Sequence, residues 1–559
     1  MKRTIAFLAA LLVLTFGVAG CSKGDSEGST DPTVTNQSNT TTAATTPAQN
    51  VSITEKAKEV DTDSTWDTVT ATITLNGDAA SVSGEGAKAS GGTVTISAAG
   101  TYVVSGTLHA GQILIAAGEK DDVRLVLNGV NITADKNAAL YAATANKLVL
   151  ILAEGTTNTL TDGASYDYAD AEKEEPDAAL FSKCDLSING TGALTVNGNY
   201  KHGVATKDDL IIASGNITVN AVATALRGKD TITVLGGAFH LTSQQGDGIK
   251  SANDAETDKG WILIKGGAFT IAAHNDGIQA ATALQIDDGK FTVTAGEGAL
   301  SASADESFKG IKAGGNIDLN GGTFNVTTYD DSIHSNADIT IADGAFTLAS
   351  GDDGIHADAT LTVKGGEINV TKSYEGLEGA NVNIIGGKIT VLSTDDGINA
   401  AGGTNANVGG GRYGNDQFAG GSATGITISG GVITLYTTSD GIDSNGTLEI
   451  TGGTVAIFIG TTRDGDATDV DNGGTILPAL YGATSIAAGT KLAVDDLWSL
   501  TLASNVTSYC LILPGVVAGQ SYQITANGAA LATVTATTTI QGMMGGGNAG
   551  GMGGRGGRR

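Results

Sequence analysis

Apolar and polar residues alternate in short runs along most of the chain. In the stretch after Gly354, the apolar pairs Leu361/Val363 and Ile368/Val370 are each spaced by two residues, with Gly365-Gly366 between them. Alternation with a period of two is typical of β-strands, and paired glycines are typical of turns. The same pattern recurs on both sides of this stretch. It predicts short strands that are separated by tight turns.

Apolar anchor residues give the length of the repeat. Ile311, Ile333, Ile355, Leu377 and Ile398 follow one another at intervals of 22, 22, 22 and 21 residues. A fixed period in this range is typical of solenoids, in which each repeat stacks on its neighbours. Three short strands in each coil predict an all-β fold, a parallel β-helix, and the crossover rule predicts a right-handed one. The 82 glycines and 5 prolines agree with it, because proline would remove a ladder donor in every coil.

The ends of the chain do not share the repeat. Residues 1–20 begin with Lys2-Arg3 and continue with an apolar stretch, as in a signal peptide. Val18-Ala19-Gly20-Cys21 resembles a bacterial lipobox, which implies lipidation of the Cys21 thiol. We predict a Ser/Thr-rich flexible tether at 21–60, a β cap at 61–120, the β-helix at 121–457, a C-terminal β module at 458–541 and a disordered Gly/Arg tail at 542–559.

The charge of the chain excludes some partners. With 59 acidic and 31 basic residues, the formal net charge is −28, which argues against nucleic acid and anionic lipid as ligands. An acidic ligand would also be repelled unless bound cations intervened. From the signal peptide and the lipobox we expect an extracytoplasmic protein that is lipid-anchored to a bacterial membrane, at the cell surface. We expect it to be a monomer and, because of its charge, to touch the membrane through its anchor alone.

Acidic residues recur beside the anchors. Residues one coil apart lie above one another, so the acids form files along the solenoid, and carboxylates ~5 Å apart repel by about 1 kcal/mol even in water. A hard cation that takes oxygen ligands, Ca²⁺, would relieve this repulsion. The predicted calcium ligands are Asp330, Asp331, Asp352, Asp353, Asp358, Glu375, Asp395 and Asp396. The alternative is that each aspartate caps a turn by accepting hydrogen bonds from backbone N–H groups, which suits single residues such as Asp247 and Asp440.

The residue after each anchor points away from the core by alternation. This file is either a solvated polar surface or the floor of a groove for a polyanionic or polyhydroxylated chain. The predicted sugar contacts, from this file and from neighbouring loops, are Lys312, His334, His356, Tyr374, Glu378, Arg412 and Tyr413. A zinc site at His334 and His356 is a weaker alternative, because aspartate-rich surroundings favour calcium.

Two motifs carry a resemblance to a known family. The segment Leu150–Gly163 and the repeated pattern Asp352-Asp353-Gly354-Ile355 resemble the calcium-dependent, carbohydrate-binding right-handed parallel β-helix family of bacterial cell-surface proteins. The resemblance covers most of Val123–Ile457. It implies a pectate-lyase-like fold, bound calcium and binding of plant-type polysaccharides, including acidic ones. The chain departs from the pattern at Lys309 and Glu375, which replace the anchor aspartate.

These observations support three hypotheses. The first is a surface-tethered, non-catalytic protein that binds a polysaccharide, in particular a polymer of uronic acids, through Ca²⁺ held by stacked aspartate turns. The alternative is a calcium-dependent polysaccharide lyase acting by β-elimination, with Lys312 as the base and Lys309 as the second choice. The third is a structural rod or adhesin of the cell envelope.

Overall fold

The computed structural model describes residues 51–168, 174–296, 307–400, 424–460 and 465–540. These residues are almost entirely β-strand, and the helix among them is Glu59–Thr62. None of these ranges holds a helix with the length and apolar character that crossing a membrane requires. The expected signal peptide, Cys21, Arg412, Tyr413 and the Gly/Arg tail lie outside the described residues.

The strands stack into three parallel sheets, which we call sheets 1, 2 and 3. Each coil contributes a strand to every sheet, and that strand pairs with its equivalents in the coils before and after it. Ile333–Ser335, for example, pairs in parallel with Ile311–Ala313 on one side and Ile355–Val363 on the other. The predicted parallel β-helix is thereby confirmed.

Sheet 1 begins each coil and contains the apolar anchors. Its strands are Thr93–Ile96, Gln112–Ala116, Leu140–Thr144, Ala178–Ser182, His202–Thr206, Leu226–Gly228, Ile249–Ser251, Ile278–Ala280, Ile311–Ala313, Ile333–Ser335, Ile355–Val363, Leu377–Ile384, Ile398–Ala400, Ile442–Ser444 and Thr468–Val470. Two of them, Ile355–Val363 and Leu377–Ile384, continue into sheet 2 without a break.

Sheets 2 and 3 complete the coil. The remaining strands of sheet 2 are Lys147–Leu152, Asp185–Gly190, Leu210–Ile212, Thr231–Val234, Trp261–Ile264, Leu284–Ile286, Ile317–Leu319, Ile339–Ile341, Gly425–Ile428, Thr447–Ile450 and Gly474–Ile476. Sheet 3 consists of Thr157–Thr161, Ala193–Gly198, Asn216–Ala221, Ala238–Ser243, Ala268–Ala273, Lys290–Ala295, Thr323–Thr328, Ala345–Ala349, Glu367–Ser373, Lys388–Ser393, Val432–Thr437 and Thr454–Ile459. The long strands Ala71–Gly77, Gly100–Leu108 and Asp122–Thr133 pair with one another in parallel and bridge these two sheets.

Antiparallel strands close both ends of the stack. At the N-terminal end, Ala80–Gly84 pairs with Ala71–Gly77 and Ala87–Ser90 pairs with Thr93–Ile96. At the C-terminal end, Val506–Ile512 covers the last strand of sheet 3 and also pairs with Ala479–Ile486. A separate antiparallel sheet follows, formed by Trp498–Thr501, Lys491–Val494, Ser521–Ala526 and Ala529–Thr535. These strands protect the open edges of the solenoid, as expected for terminal β modules.

Parallel pairing extends further than the predicted limits of 121 and 457. It reaches Ala71–Gly77 on one side and Gly474–Ile476 on the other. The spacing of the sheet 1 strands loosens towards the C-terminus, where Ile442 pairs with Thr468, 26 residues later. The ladder of backbone hydrogen bonds therefore continues where the sequence period no longer marks it.

The core is filled by inward residues that stack on their equivalents in the next coil. In sheet 3, five phenylalanine rings form one column with ring centroids 4.5–4.8 Å apart and ring planes within 4° of parallel. They are Phe239, Phe269, Phe291, Phe324 and Phe346. A slip of one residue in any strand would move its apolar side chains to the solvent side, so this column helps to fix the register of the coils.

Residues Val51–Thr65, which we call the strap, lie across the outer surface of sheet 2. Near its start, Val51 and Ile53 pack against Trp261, which is 1% exposed. Further along, Val60 packs against a second apolar group that includes the buried Val149. The strap thus covers apolar outer side chains of coils that are far apart in the stack.

Ion pairs hold the strap between these apolar contacts. Lys56 Nζ lies 3.1 Å from Asp209 Oδ2, and the buried Lys147 Nζ lies 2.7 Å from Asp61 Oδ1. Asn189 donates a hydrogen bond to the Asp61 carbonyl at 2.9 Å. The last ten residues of the segment predicted to be a flexible tether are thus packed onto sheet 2. Val51, Ile53 and Val60 contact apolar side chains there, and Lys56 pairs with Asp209.

Candidate functional site

Two files of side chains run side by side along sheet 1. The anchor file holds the residue two positions before each apolar anchor, and the flanking file holds the residue just after that anchor. The anchor file consists of His202, Thr224, Asp247, Asp276, Lys309, Asp331, Asp353, Glu375, Asp396, Asp440 and Asp466. The flanking file consists of Arg227, Lys250, Gln279, Lys312, His334, His356, Glu378, Asn399, Asp443 and Asp469. We call the surface that they form the sheet 1 face.

One oxygen of the anchor carboxylates caps the next coil. Asp331 Oδ1 accepts a hydrogen bond from the backbone N–H of Asp353 at 3.0 Å, and Asp396 Oδ1 accepts one from that of Asp440 at 2.8 Å. Asp247, Asp276, Asp353 and Asp440 do the same for the coils that follow them. The turn-capping role that was the alternative to calcium is therefore present. It uses only one of the two oxygens of each carboxylate.

The second oxygen faces the side chain three residues later, in the flanking file. Lys250 Nζ lies 2.8 Å from Asp247 Oδ2, and His334 Nδ1 lies 2.9 Å from Asp331 Oδ2. His356 Nδ1 lies 2.9 Å from Asp353 Oδ2. In these coils the protein itself supplies the group that neutralises the anchor carboxylate.

Lys309 adds positive charge within the predicted calcium patch. Its Nζ lies 2.5 Å from Asp331 Oδ2 and 2.9 Å from Asp330 Oδ1, and the side chain is largely buried. Burial lowers the pKa of Lys309, but the carboxylates of Asp331 and Asp330 outweigh burial and hold the pKa above its usual value. The doubled aspartates at 330 and 331 are thus already paired with an ammonium group. A lysine held in the charged form is also a poor general base.

His356 is surrounded by carboxylates. Its Nδ1 lies 2.5 Å from Glu378 Oε2, and its Nε2 lies 3.2 Å from Asp358 Oδ1. Burial lowers the pKa of the ring, but hydrogen bonds to Asp353, Asp358 and Glu378 prevail and hold the pKa well above its usual value. The ring is therefore an imidazolium, which has no lone pair to offer to a metal ion.

His334 lies beside His356, with ring centroids 4.9 Å apart. Its Nδ1 is taken by Asp331 and its Nε2 lies 2.9 Å from Asn336 Oδ1. These contacts disfavour the zinc alternative. The two histidines are 4% and 8% exposed, and Asn399 is 1% exposed, so the alternative of a solvated polar surface does not hold at these positions. The side chains turn along the surface to reach the anchor carboxylates.

The C-terminal coils differ in the residues that face the anchor carboxylates. The flanking file changes there to Asn399, Asp443 and Asp469. Ligand oxygens of Asp396, Asp440 and Asp443 lie within 4.8 Å of one another. In the part of the chain that the structure describes, no lysine, arginine or histidine forms an ion pair with Asp396 or Asp440.

Burial destabilises the ionised form of these carboxylates. Burial, followed by repulsion from Asp395, raises the pKa of Asp396 to about 8. Burial also raises the pKa of Asp440 to about 6, against the effect of its hydrogen bond from the Asp466 N–H. The pKa of Glu375 is held well above its usual range, first by burial and then by Asp353. Buried carboxylates of this kind either take up protons or share a cation.

The other predicted residues are dispersed over the same surface. Lys312 Nζ lies 3.0 Å from Ser307 Oγ and 3.7 Å from Asp276 Oδ2. Asp352 is exposed beside the pair Asp330 and Asp331, and Tyr374 is half-buried just before Glu375. The structure thus brings the predicted calcium ligands together, but only some of them have cations as partners among the described residues.

Three members of the site, Asp440, Asp443 and Arg227, are not among the predicted ligands. Asp440 and Asp443 lie in the same files, 44 residues after Asp396 and Asn399, with the insertion at 401–424 between them. A single aspartate such as Asp440 is explained equally well by turn capping. Arg227 lies one coil before Lys250, and its coil has Thr224-Ala225-Leu226 in place of the Asp-Gly-Ile pattern, so the repeat does not mark it.

Comparisons with known proteins place the chain in a described family. The profile of a family described as carbohydrate-binding domain-containing protein matches residues 90–354. A protein of Acetivibrio thermocellus with the same description is 39% identical over 203 residues, which are 36% of this chain and 71% of that protein. Among solved structures, the gadolinium derivative of the polysaccharide lyase-like protein from C. thermocellum is 29% identical. That match covers 56% of this chain and 97% of the other, with a TM-score of 0.36.

Proposed function

Because this chain belongs to the family of carbohydrate-binding domain-containing proteins, we propose that it binds a polysaccharide on the sheet 1 face through divalent cations. The preferred ligand is a polymer of uronic acids. Calcium bridges the carboxylates of the protein to the carboxylates or hydroxyl groups of the sugar. In this proposal the protein holds its ligand and does not cleave it.

One observation carries the proposal. Asp396 and Asp440 each use one oxygen to cap the next coil, and no basic side chain in the described ranges pairs with either of them. In earlier coils, Lys250, His334 and His356 lie three residues after the anchor-file aspartate and pair with it. Among the described residues, Asp396 and Asp440 therefore have no positive charge to balance them, and in this proposal calcium supplies it.

The donor set fits calcium. The group of Asp396, Asp440 and Asp443 offers only carboxylate oxygens, and the side chain of Asn399 adds a buried Oδ1 that has no hydrogen-bond partner among the described residues. Hard oxygen ligands of this kind suit Ca²⁺ or Mg²⁺, and Ca²⁺ tolerates irregular geometry. We assign the strongest calcium binding to these residues, with Asp395 and Glu375 beside them. Calcium at Asp330, Asp331, Asp352, Asp353 and Asp358 remains a weaker proposal, because Lys309 and His356 compete for the same carboxylates.

The lyase alternative is less well supported. Beta-elimination needs a base that is neutral at working pH, and the carboxylates of Asp330 and Asp331 keep Lys309 charged. Lys312 remains the better candidate, since its nearest carboxylate oxygen lies at 3.7 Å.

The anchoring of the protein through a lipid on Cys21, at the outer surface of a bacterial membrane, also remains a proposal from the sequence.

Affinity electrophoresis tests the binding function. The protein is run through gels that contain polygalacturonate or a neutral glucan, each with calcium or with a chelator. We expect polygalacturonate to retard the protein strongly when calcium is present and much less in chelator. The double variant Asp396→Asn/Asp440→Asn should lose most of this retardation, while Asp343→Asn, at an exposed turn, should keep it. Failure of both polymers to retard the protein in either condition would leave the structural rod as the better hypothesis.

A further inference from the structure

The charge of the sheet 1 face changes sign along the solenoid. The coils from Thr224 to Lys312 carry four cations in the two files against the anions Asp247 and Asp276; the cations are Arg227, Lys250, Lys309 and Lys312. The last three coils carry Asp396, Asp440, Asp443, Asp466 and Asp469, with Asn399 as the uncharged member. An acidic polymer lying along this face would therefore need added cations at one end and would meet fixed positive charge at the other.

Arg227 has the weakest internal partners of these four cations. Its Nη1 lies 3.9 Å from Asp177 Oδ2 and 3.4 Å from His202 Nε2. The structure gives the guanidinium no closer oxygen acceptor among the described residues, and the side chain is 31% exposed. A guanidinium has five N–H donors in a planar fork that matches a carboxylate. Most of these donors are open to a ligand.

His202 presents a second donor at the same place. The backbone N–H of Thr224 lies 3.2 Å from its Nδ1, and the tautomer that accepts this hydrogen bond carries the ring proton on Nε2. Burial, followed by the charges of Arg227 and Lys201, lowers the pKa of the ring to about 3, so the ring is neutral at ordinary pH. In that tautomer two N–H groups, on His202 and Arg227, face each other at 3.4 Å, and Asp177 Oδ2 lies 3.8 Å from Nε2. An oxygen from a ligand could accept from both.

We propose that Arg227 and His202, with Lys250 in the next coil, form a subsite that binds the carboxylate of a uronic-acid residue without a metal ion. The proposal rests on the function proposed above and adds a second mode of recognition to it. Arg227 binds the two carboxylate oxygens through its fork, His202 donates from Nε2, and Lys250 adds charge from beside Asp247. The polymer is then held directly at the N-terminal coils and through calcium at the C-terminal coils.

Aromatic rings border this subsite. Tyr200 precedes His202 by two residues, and its ring stacks on that of Tyr166 with centroids 4.6 Å apart. Lys201 Nζ lies 5.2 Å from the centroid of the Tyr200 ring. The Tyr166 hydroxyl donates to the backbone carbonyl of Ala178 at 3.0 Å, the residue after Asp177. Half-buried tyrosines provide the apolar surface against which a sugar ring can pack.

Isothermal titration calorimetry with trigalacturonate tests the subsite, using the full chain in excess chelator. The matched ligand is trigalacturonate in which every carboxyl is methyl-esterified. We expect the acid to bind in chelator and the ester to bind much more weakly. Arg227→Gln should weaken binding of the acid by about tenfold or more, since a charged hydrogen-bonded pair is lost. Arg227→Lys keeps the charge but loses the planar fork, so its affinity for the acid should lie between those of the parent and Arg227→Gln.

Lys388→Gln is the control for charge. Lys388 pairs with Glu367 on the exposed side of sheet 3, so its loss changes the net charge of the protein by the same amount and leaves the subsite intact. Melting curves of each variant establish that it is folded. If Arg227→Gln does not fold, the comparison of Arg227→Lys with the parent decides.

The outcomes separate the two proposals. Absence of binding in chelator, or equal binding by the parent and the Arg227 variants, overturns the subsite. In that case calcium-dependent retention of polygalacturonate in the gels would still support the proposed function. If neither polymer retards the protein with or without calcium, the proposed function fails, and the subsite fails with it.

Discussion

Lys309 Nζ lies 2.5 Å from Asp331 Oδ2, where the repeat would otherwise place a second aspartate. A lysine of the chain thus takes the position of a cation between two coils. The same face therefore contains carboxylates that a lysine or histidine neutralises and others, Asp396 and Asp440, that have no such partner among the described residues.

Replacing Lys309 by alanine should make stability depend more strongly on calcium than it does in the parent protein. The change leaves Asp330 and Asp331 without their ammonium partner, which should cost about 3–5 kcal/mol in chelator, because one member of a buried ion pair is removed. Calcium should restore most of the loss by binding the released carboxylates. Urea unfolding in chelator and in calcium measures both effects.

The control for this variant is Lys388→Ala, which breaks an exposed ion pair and should cost less than about 1 kcal/mol in either condition. Lys309→Asp should respond to calcium even more strongly than Lys309→Ala, because it adds a further oxygen ligand. A Lys309→Ala protein as stable as the parent in chelator would contradict the role given to this ammonium group.

Removal of calcium from the parent protein should lower its melting temperature. Without the cation, nothing offsets the repulsion among the carboxylates of Asp396, Asp440 and Asp443. Restored calcium should raise the melting temperature again, because it binds the folded state. Asp396→Asn/Asp440→Asn should abolish the difference between the two conditions. Differential scanning calorimetry with and without chelator gives the comparison, and identical curves for the parent would argue against calcium.

The pair Asp331→Asn and Asp353→Asn should behave differently. These residues are partners of Lys309, His334 and His356, so their loss should destabilise the protein whether or not calcium is present. Full rescue of this double variant by calcium would move the main calcium site to these coils.

In chelator, stability should fall as the pH rises. The pKa of Asp396 is raised to about 8 in the folded protein, above its value in the unfolded chain, so the folded state holds the extra proton. Its contribution is fully present below about pH 4 and is lost as the pH rises towards about 8. Asp440, with a pKa raised to about 6, adds to the same slope.

Melting temperatures in chelator across this pH range test the prediction. Asp396→Asn should flatten the slope, since the asparagine does not titrate, and saturating calcium should flatten it by replacing the proton. A melting temperature of the parent in chelator that rises between about pH 5 and pH 8 would exclude the assigned direction of these shifts.

No unsaturated sugar ends should form from polygalacturonate. Lys309 is held charged by Asp330 and Asp331, so it cannot take up the proton that elimination releases. The absorbance of unsaturated uronides, followed over hours with calcium present, should stay constant while the polymer is retained by the protein. A sustained rise that Lys312→Ala abolishes and Lys388→Ala does not would establish the lyase alternative instead.

The sequence predicts the fold and the stacking of the acidic residues well, for one physical reason. The apolar anchors such as Ile333 and Ile355 are buried, and burial fixes which residues of adjacent coils face each other. Once that register is known, the positions of Asp331 and Asp353 in one file follow directly.

The partners of those carboxylates are harder to predict. Alternation shows that His356 points away from the core, but it does not show that the ring turns along the surface to meet Asp353 and Glu378. The strap is also hidden, since Val51 and Lys56 belong to a segment without a period, and their partners Trp261 and Asp209 are far away in sequence.

The strap changes how the solenoid can unfold. Coils of a solenoid touch only their neighbours, so local opening at one coil need not affect another. The strap crosses from the coil of Trp261 to the coil of Val149 and bonds to Asp209 between them, so none of these coils can open at its outer surface without releasing it. Amide hydrogens under the strap should therefore exchange together, as one cooperative block, while the coils after Ala283 open one at a time.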